Sequence, residues 1–438
     1  MTSYLEQALR QAAEDRAGAP TSPPAGGFVP RPPRDLQQAG LDSGRVDGLV
    51  LKVLLGEPGL TGQQVARVLC LPHNLVRDRL ATLKLEKRVV HRSATATGDF
   101  HYELSSDGRE AALQLRRVAR YAGAAPVSLA GWVDSLKQQS VREARPTRAR
   151  LEAAFSDLVV PFGLLDKLGP AVGAGRGLFL HGDPGNGKTS LAERITRSYG
   201  DAIYIPRTVE AFGWLIQVFD PAVHRPVPPE ARPAVRTDER WVLCERPTVV
   251  VGGELTLDQL ELSYSEHGGV CAAPAHVKAS GGVLVVDDFG RQRVEPTALL
   301  NRWIVPMEKS VDFLGLPDGR KLEVPFEAFV VFATNLRPRD LVDEAFLRRI
   351  PYKVRVEDPD GEQFRKLIER QATALGLTLE AGLVEHLVQR WYTERSFRFC
   401  HPRDLLMQVA ERCAWREEPA VVTRNHLDAA CSGYFLGT

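Results

Sequence analysis

The chain has 438 residues, 44% of them hydrophobic and 25% charged, with a formal net charge of +1. This is the composition of a soluble globular chain with room for two or three domains. It excludes a global field that would draw the protein onto nucleic acid or membrane. No apolar run approaches the roughly eighteen residues of a membrane span, and the N-terminus has no signal-peptide core, so a cytoplasmic protein with no membrane partner is expected. The six cysteines, at 70, 244, 271, 400, 413 and 431, form no C-x-x-C pair or other zinc spacing and are read as reduced thiols.

Residues 1–16 are compatible with a short helix. The stretch "AGAPTSPPAGGFVPRPPRD" (17–35) is rich in Pro and Gly, so residues 1–40 are expected to be a flexible arm. From Leu41 the pattern changes. "VDGLVLKVLLGEP", "TGQQVARVLCLP" (with Thr61 as its cap) and "HNLVRDRLATLKLEKRVV" each read as a helix. Two short β-like runs, "VVHRS" and "FHYELSSDG", follow around the turn "TATGD". Three helices and a hairpin give the winged helix-turn-helix order over residues 41–121. Its third helix carries His73, Asn74, Arg77, Arg79, Thr82 and Lys84. Residues 41–121 hold thirteen Lys/Arg against nine Asp/Glu, an excess too small to choose between DNA and a protein as the partner. Residues 122–150 read as a partly helical linker ending in an Arg-rich stretch.

A larger domain begins near Leu151. Residues 178–190 read "LFLHGDPGNGKTS", and Gly182, Gly187, Lys188 and Thr189 stand in the G-x-x-x-x-G-K-S/T spacing. An apolar strand precedes the loop and a helical pattern follows it, which puts a phosphate at a helix N-terminus. Gly182, Asp183, Pro184, Gly185, Asn186, Gly187, Lys188, Thr189 and Ser190 are therefore the candidate ATP-binding residues. Lys188 is the point charge for the β- and γ-phosphates, and the Thr189 hydroxyl is a Mg²⁺ ligand. Further on, "VLVVDDFGRQ" (283–292) is an apolar run that delivers two carboxylates. It reads as a central strand of a parallel sheet with charge at its carboxyl edge. Asp287 is the second Mg²⁺ ligand, and Asp288 is placed to orient or polarise the attacking water.

With these motifs placed, residues 151–438 resemble an AAA+ ATPase. The resemblance implies an α/β fold, with a P-loop NTPase parallel sheet over 151–358 and a helical lid over 359–438, behind the small winged-helix domain. "EAFVVFATNL" (327–336) resembles the sensor 1 strand, which implies that Asn335 meets the γ-phosphate or the attacking water. "DEAFLRRIPYKV" (343–354) resembles the segment that lends an arginine finger to a neighbouring subunit, with Arg349 the better fit and Arg348 the second. "CHPRDLLMQVAERCAW" (400–415) resembles the lid helix of sensor 2, with Arg403 reaching the nucleotide. Most related ATPases place Glu where this chain has Asp288.

"SVDFLGLPDGRKLEVPFEAFVVFATN" is a β-hairpin by turn chemistry, just before sensor 1. That resembles the branch of AAA+ proteins with a pre-sensor 1 insertion, as does the "AHVKASGG" approach, similar to MoxR-type ATPases and bacterial enhancer-binding activators. "GGELTLDQLEL", "DDFGRQ" and "LLNRWIVPMEK" resemble a bacterial group described as predicted ATPases with chaperone activity. The resemblance implies a homo-oligomeric ring, a hexamer, that remodels an unknown protein client. Tyr264 and His267 are candidates for a pore-facing loop, and packing explains them equally well. A DNA-associated ATPase of the helicase-loader, transposition or regulator type is the alternative, since such proteins also carry Asp-Asp-x-Gly. A nucleotide switch that barely turns over is a third reading.

Overall fold

The computed structural model describes residues 27–435 apart from 97, 201, 266–267 and 343. The expected helix in 1–16 and the candidate His267 lie outside the described residues. Near the N-terminus, helices α1 (Ser43–Gly56), α2 (Gly62–Leu69) and α3 (His73–Leu85) precede an antiparallel hairpin of β1 (Val89–Ala94) and β2 (Phe100–Leu104), then α4 (Ser106–Val118). Local side-chain chemistry starts α1 and α2 where it does, while α3 begins after Pro72 with no side-chain cap. Asp42 accepts from Arg45 N at 2.8 Å, and Thr61 with Gln64 forms a reciprocal capping box. Leu49, Val50, Leu54, Val65, Leu69, Val76, Leu80 and Tyr102 converge into one core.

The next segments depart from the expected arm and linker. Residues 27–40 lie against a folded β body: the ring of Phe28 packs on Trp241 at 5.0 Å, and Pro30 O accepts from Asp238 N at 3.0 Å. The buried pair Arg240–Asp238 clamps this region, with Arg240 Nη1 donating to Ala39 O (2.7 Å) and Pro126 O (3.0 Å). Pro and Gly left the segment without a pattern of its own, yet its apolar side chains find a surface made elsewhere. Residues 127–138 likewise form β3 (Val127–Ser128) and α5 (Leu129–Gln138), whose Trp132 and Leu136 are buried in the same β body.

Beyond α6 (Arg148–Ala154) and α7 (Leu164–Ala174), the chain lays down β4 (Leu178–His181) and α8 (Lys188–Ser198). It then leaves the main sheet for β5 (Ile203–Pro206), β6 (Thr208–Ala211), β7 (Trp214–Gln217) and β8 (Trp241–Cys244), and returns as β9 (Thr248–Val251). Strands β10 (Ser263–Ser265) and β11 (Val270–Ala272) complete a mixed sheet of order β10-β11-β7-β6-β3, while β5 pairs with β8. This β body was not read in the sequence. Its strands are only two to four residues long, too short to display a period.

The main sheet takes in β12 (Val283–Val286), β15 (Phe329–Thr334) and β16 (Tyr352–Arg355), in the order β16-β4-β15-β12-β9. Every pairing is parallel, with Val283 opposite Phe329 and Thr248, and Leu178 opposite Val331 and Tyr352. Strands β12 and β15 are buried along their whole length. This is the α/β parallel sheet of a P-loop NTPase, and all of its strands end at one edge. Between β12 and β15 run α9 (Pro296–Lys309) and a hairpin of β13 (Val311–Gly315) and β14 (Lys321–Pro325), closed by the expected Pro-Asp-Gly turn with Gly319 at φ 86°. After α10 (Glu344–Arg349) come α11 (Gly361–Ala374), α12 (Leu383–Trp391), α13 (His401–Arg416) and α14 (Arg424–Tyr434), a helical unit with its own core. Among the described residues no helix is long and apolar enough to cross a membrane.

The hairpin does not stand free. Leu314, Leu322 and Val324 are buried in the β-body core. Buried Asp312 accepts from His276 Nε2 (2.8 Å) and from both Arg302 guanidinium nitrogens (2.6 and 3.1 Å), while Arg302 also reaches Glu261 (3.0 Å). Burial by itself would raise the Asp312 pKa, but the His276 and Arg302 bonds outweigh it and bring it from the ordinary 3.8 to about 2. A depressed carboxylate stabilises the fold above its unfolded pKa and loses that contribution as pH falls toward the folded value. Urea unfolding should therefore show about 2 kcal/mol of stability lost between about pH 4 and pH 2 that traces to Asp312. The Asp312→Asn variant should be less stable at neutral pH and lack that component; an identical acid profile in both proteins would contradict it.

Candidate nucleotide site

The loop from β4 to α8 closes around two glycines that tolerate no side chain. A Cβ on Gly182 (φ 149°) would lie 2.5 Å from Val356 O, and one on Gly185 (φ 84°) would lie 2.6 Å from Cys400 Sγ. Gly187 (φ 70°) is different: a Cβ there would meet open space, and it is the left-handed N-cap from which α8 starts. Pro184 and Ser190 are exposed. Asn186 is buried, donating from Nδ2 to Asp358 Oδ1 at 2.7 Å, and its buried Oδ1 has no hydrogen-bond partner.

Lys188, the first residue of α8, folds back over the loop. Its Nζ donates to Gly182 O (2.9 Å), Asp183 O (2.9 Å) and Asn335 Oδ1 (2.6 Å). Burial lowers its pKa, and the nearby carboxylates of Asp288, Asp287 and Asp183 pull the other way. Thr189 Oγ1 donates to Asp287 Oδ2 at 2.8 Å, so two hard oxygen donors from neighbouring elements stand together. That donor set suits Mg²⁺, which favours carboxylate and hydroxyl oxygens alongside substrate phosphates.

The Asp-Asp pair has a structural cause. Phe289 is buried against Phe179 and Phe332, its N–H donates to Ala333 O (2.7 Å), and its carbonyl accepts from Thr334 Oγ1 (2.8 Å). To seat that ring the chain turns sharply at Asp288, which takes the left-handed conformation (φ 48°) that Asp tolerates better than most residues. The Asp288 carboxylate is thereby displayed at the sheet edge, where its Oδ1 accepts from Asn335 Nδ2 at 3.0 Å. Asn335, at the end of β15, thus joins Lys188 to Asp288 in one polar chain. The sequence indicated each of these residues but not that bridge.

Two arginine assignments look different in space. Arg403, on the first turn of α13, pairs with Asp404 (3.0 Å) and is 62% exposed. The helical unit touches the phosphate loop instead through Arg398, which donates to Asp183 Oδ2 (3.0 Å) and to Asp358 Oδ1, and through Cys400, whose N–H donates to Gly185 O (2.9 Å). Arg398 was missed because it sits in an aperiodic stretch, "SFRFC", with no local signal. Arg349 Nε donates to Glu308 of α9 at 2.7 Å, whereas Arg348 lies 3.6 Å from Glu344 and is 78% exposed. Tyr264, on β10, packs edge-on against Trp214 at 5.3 Å.

Residues 360–433 match a protein family described as a domain of unknown function (DUF8689). No curated protein matches the sequence. Among solved structures, the chain is similar to NtrX from Brucella abortus at 15% identity and a TM-score of 0.39, covering 65% of this chain and 54% of that one, so it spans about half of NtrX. The ADP complex of NtrX gives 14% identity and a TM-score of 0.41, over 74% of this chain and 66% of that one. The Thermotoga maritima RuvB Holliday junction branch migration motor gives 13% identity and a TM-score of 0.36, over 68% and 72%. These likenesses are too distant to assign a chemistry; the residues at the sheet edge carry it.

Proposed function

We propose that the chain is an AAA+ ATPase that binds and hydrolyses ATP with Mg²⁺ in a homo-oligomeric ring, a hexamer, and uses the cycle to remodel a protein assembly. The observation that carries the ATPase reading is the meeting of Lys188, the Thr189–Asp287 pair and the Asp288–Asn335 pair at one edge of a parallel sheet. Lys188 and the loop N–H groups bind and orient the triphosphate. Thr189 and Asp287 would hold Mg²⁺, which offsets phosphate charge when bound. Asp288 orients the attacking water and Asn335 holds Asp288 in place. Arg398 ties the helical unit to the loop, and Arg403 is proposed to meet the nucleotide from the same helical unit.

Lys188→Ala should remove ATP binding in calorimetry, with a loss of about a hundredfold or more in affinity, while circular dichroism stays unchanged. The ammonium is a charge-assisted donor to phosphate, and no apolar core contact leaves with it. Unchanged affinity would sink the reading. Asp287→Asn should spare some binding and lose the Mg²⁺-dependent reaction.

The leading role for residues 41–121 is a winged helix that selects the partner. A specific observation supports DNA as the second reading. A groove of about 860 Å³ between α3 and the β1–β2 hairpin is lined by Arg77, Lys84, Lys87 and His91, with His73 beside Asp99 (3.6 Å) and the rings of Phe100 and Tyr102. Arg79 is not available to it, because it forms a two-bonded pair with Asp47 (2.8 and 2.6 Å). A salt-dependent shift of labelled duplex by the full chain, lost in Arg77→Ala with Lys84→Ala, would favour DNA over a protein client.

A further inference from the structure

We propose that Cys413, Glu418 and His426 form a binding site for one zinc-class divalent ion in the C-terminal helical unit, apart from the nucleotide edge. The sequence alone argued against such a site, since the three residues have no zinc-like spacing. The fold brings them together. Helix α13 ends at Arg416, and Glu417 takes the left-handed conformation (φ 58°) that closes it. Glu418 N then donates to Cys413 O at 2.9 Å, which turns Glu418 back over the last helical turn. Thr423 caps α14 by accepting from His426 N (3.3 Å), and so sets His426 in the facing first turn. One donor atom from each of the three side chains lies within 4.8 Å of the other two.

The hydrogen-bond inventory points to a cation. His426 Nδ1 lies 3.0 Å from Val421 O. A carbonyl only accepts, so Nδ1 carries the hydrogen and Nε2 of the neutral ring presents a lone pair. That Nε2 stands 3.1 Å from Glu418 Oε2, an oxygen that is buried and makes no hydrogen bond. Two lone pairs at this distance repel unless a positive charge lies between them. A proton shared by the imidazole and the carboxylate would satisfy that pair alone, whereas a metal ion would also draw in the buried Cys413 thiol, whose Sγ lies 3.9 Å from His426 Nδ1. A thiolate, an imidazole and a carboxylate together suit a borderline-soft ion such as Zn²⁺ rather than Mg²⁺ or Ca²⁺. The imidazole is also oriented as metal ligands usually are, through its other N–H on a backbone carbonyl. Binding would release the thiol proton to solvent and clip the end of α13 to the start of α14.

Cobalt(II) titration of the metal-stripped full-length protein, without nucleotide, tests this. A near-ultraviolet thiolate-to-cobalt charge-transfer band is expected to saturate at one equivalent and to be displaced by zinc. Cobalt on the Thr189–Asp287 oxygens gives no such band. C413S should abolish it, C400S should leave it intact, and E418Q and H426Q should weaken apparent affinity by about tenfold or more. Zinc should raise the thermal midpoint of the wild type and not of E418Q, whose half-exposed side chain makes it the variant that decides if C413S does not fold. No band in folded wild type, a band that survives C413S, or affinity unaffected by both E418Q and H426Q would overturn the proposal.

Discussion

Asp288→Asn should all but stop ATP hydrolysis while leaving ATP binding within a few-fold of the wild type. Asn adopts the left-handed backbone as readily as Asp, so the turn that seats Phe289 is not disturbed and the change isolates the charge. Asn335 Nδ2, which donates to Asp288 Oδ1, would face an amide that can still accept through its oxygen. What is lost is a negative group able to orient and polarise water, worth on the order of a hundredfold to ten-thousandfold in rate. Asp288→Glu keeps that charge and should hydrolyse at a similar or higher rate. Single-turnover assays at saturating ATP separate the outcomes. Wild-type turnover by Asp288→Asn would reduce the residue to a turn former, held by Phe289 for packing alone. The same variant, stalled with ATP bound, is the one to use for capturing a client.

Hydrolysis should also need a neighbouring subunit, and Arg349→Ala should lower its rate by about a thousandfold or more. A guanidinium that reaches a neighbour's γ-phosphate neutralises charge that spreads over the equatorial oxygens only in the transition state. Specific activity should rise with protein concentration as rings assemble. Mixing Lys188→Ala with Arg349→Ala, each inactive alone, should restore part of the rate, because some intact phosphate loops then face intact fingers. The pair with Glu308 sharpens the test. If that half-exposed pair is all Arg349 does, its loss costs no more than about 1 kcal/mol of stability and leaves turnover alone. Arg348, the more exposed of the two, takes the same mixing test. Failure of both mixtures, with mixed rings confirmed by mass, would place both arginines outside the site of the neighbour.

The sequence by itself determined the features that contiguous residues encode. The phosphate loop, the apolar strand leading to Asp287, the Pro-Asp-Gly hairpin and the Thr61 helix cap each arise from bonds and torsions within a few positions, so spacing and residue type suffice. Strands β4, β12 and β15 of the main sheet were legible as well, because burial on both faces writes an unbroken apolar run, whereas the edge strands β9 and β16 are partly exposed. Only the tertiary structure decided the rest. The β body gathers residues 127–128, 203–217, 241–244, 263–265 and 270–272 with side chains of the distant hairpin, and no segment carries enough residues to announce it. The same holds for Phe28, whose partners are Tyr204 and Trp241, and for Arg398, which meets Asp183 across 215 residues. The Lys188–Asn335–Asp288 chain and the Cys413–Glu418–His426 cluster follow the same rule. In each case the contact exists because strand order or a helix end brings remote side chains together, and that geometry has no trace in local spacing.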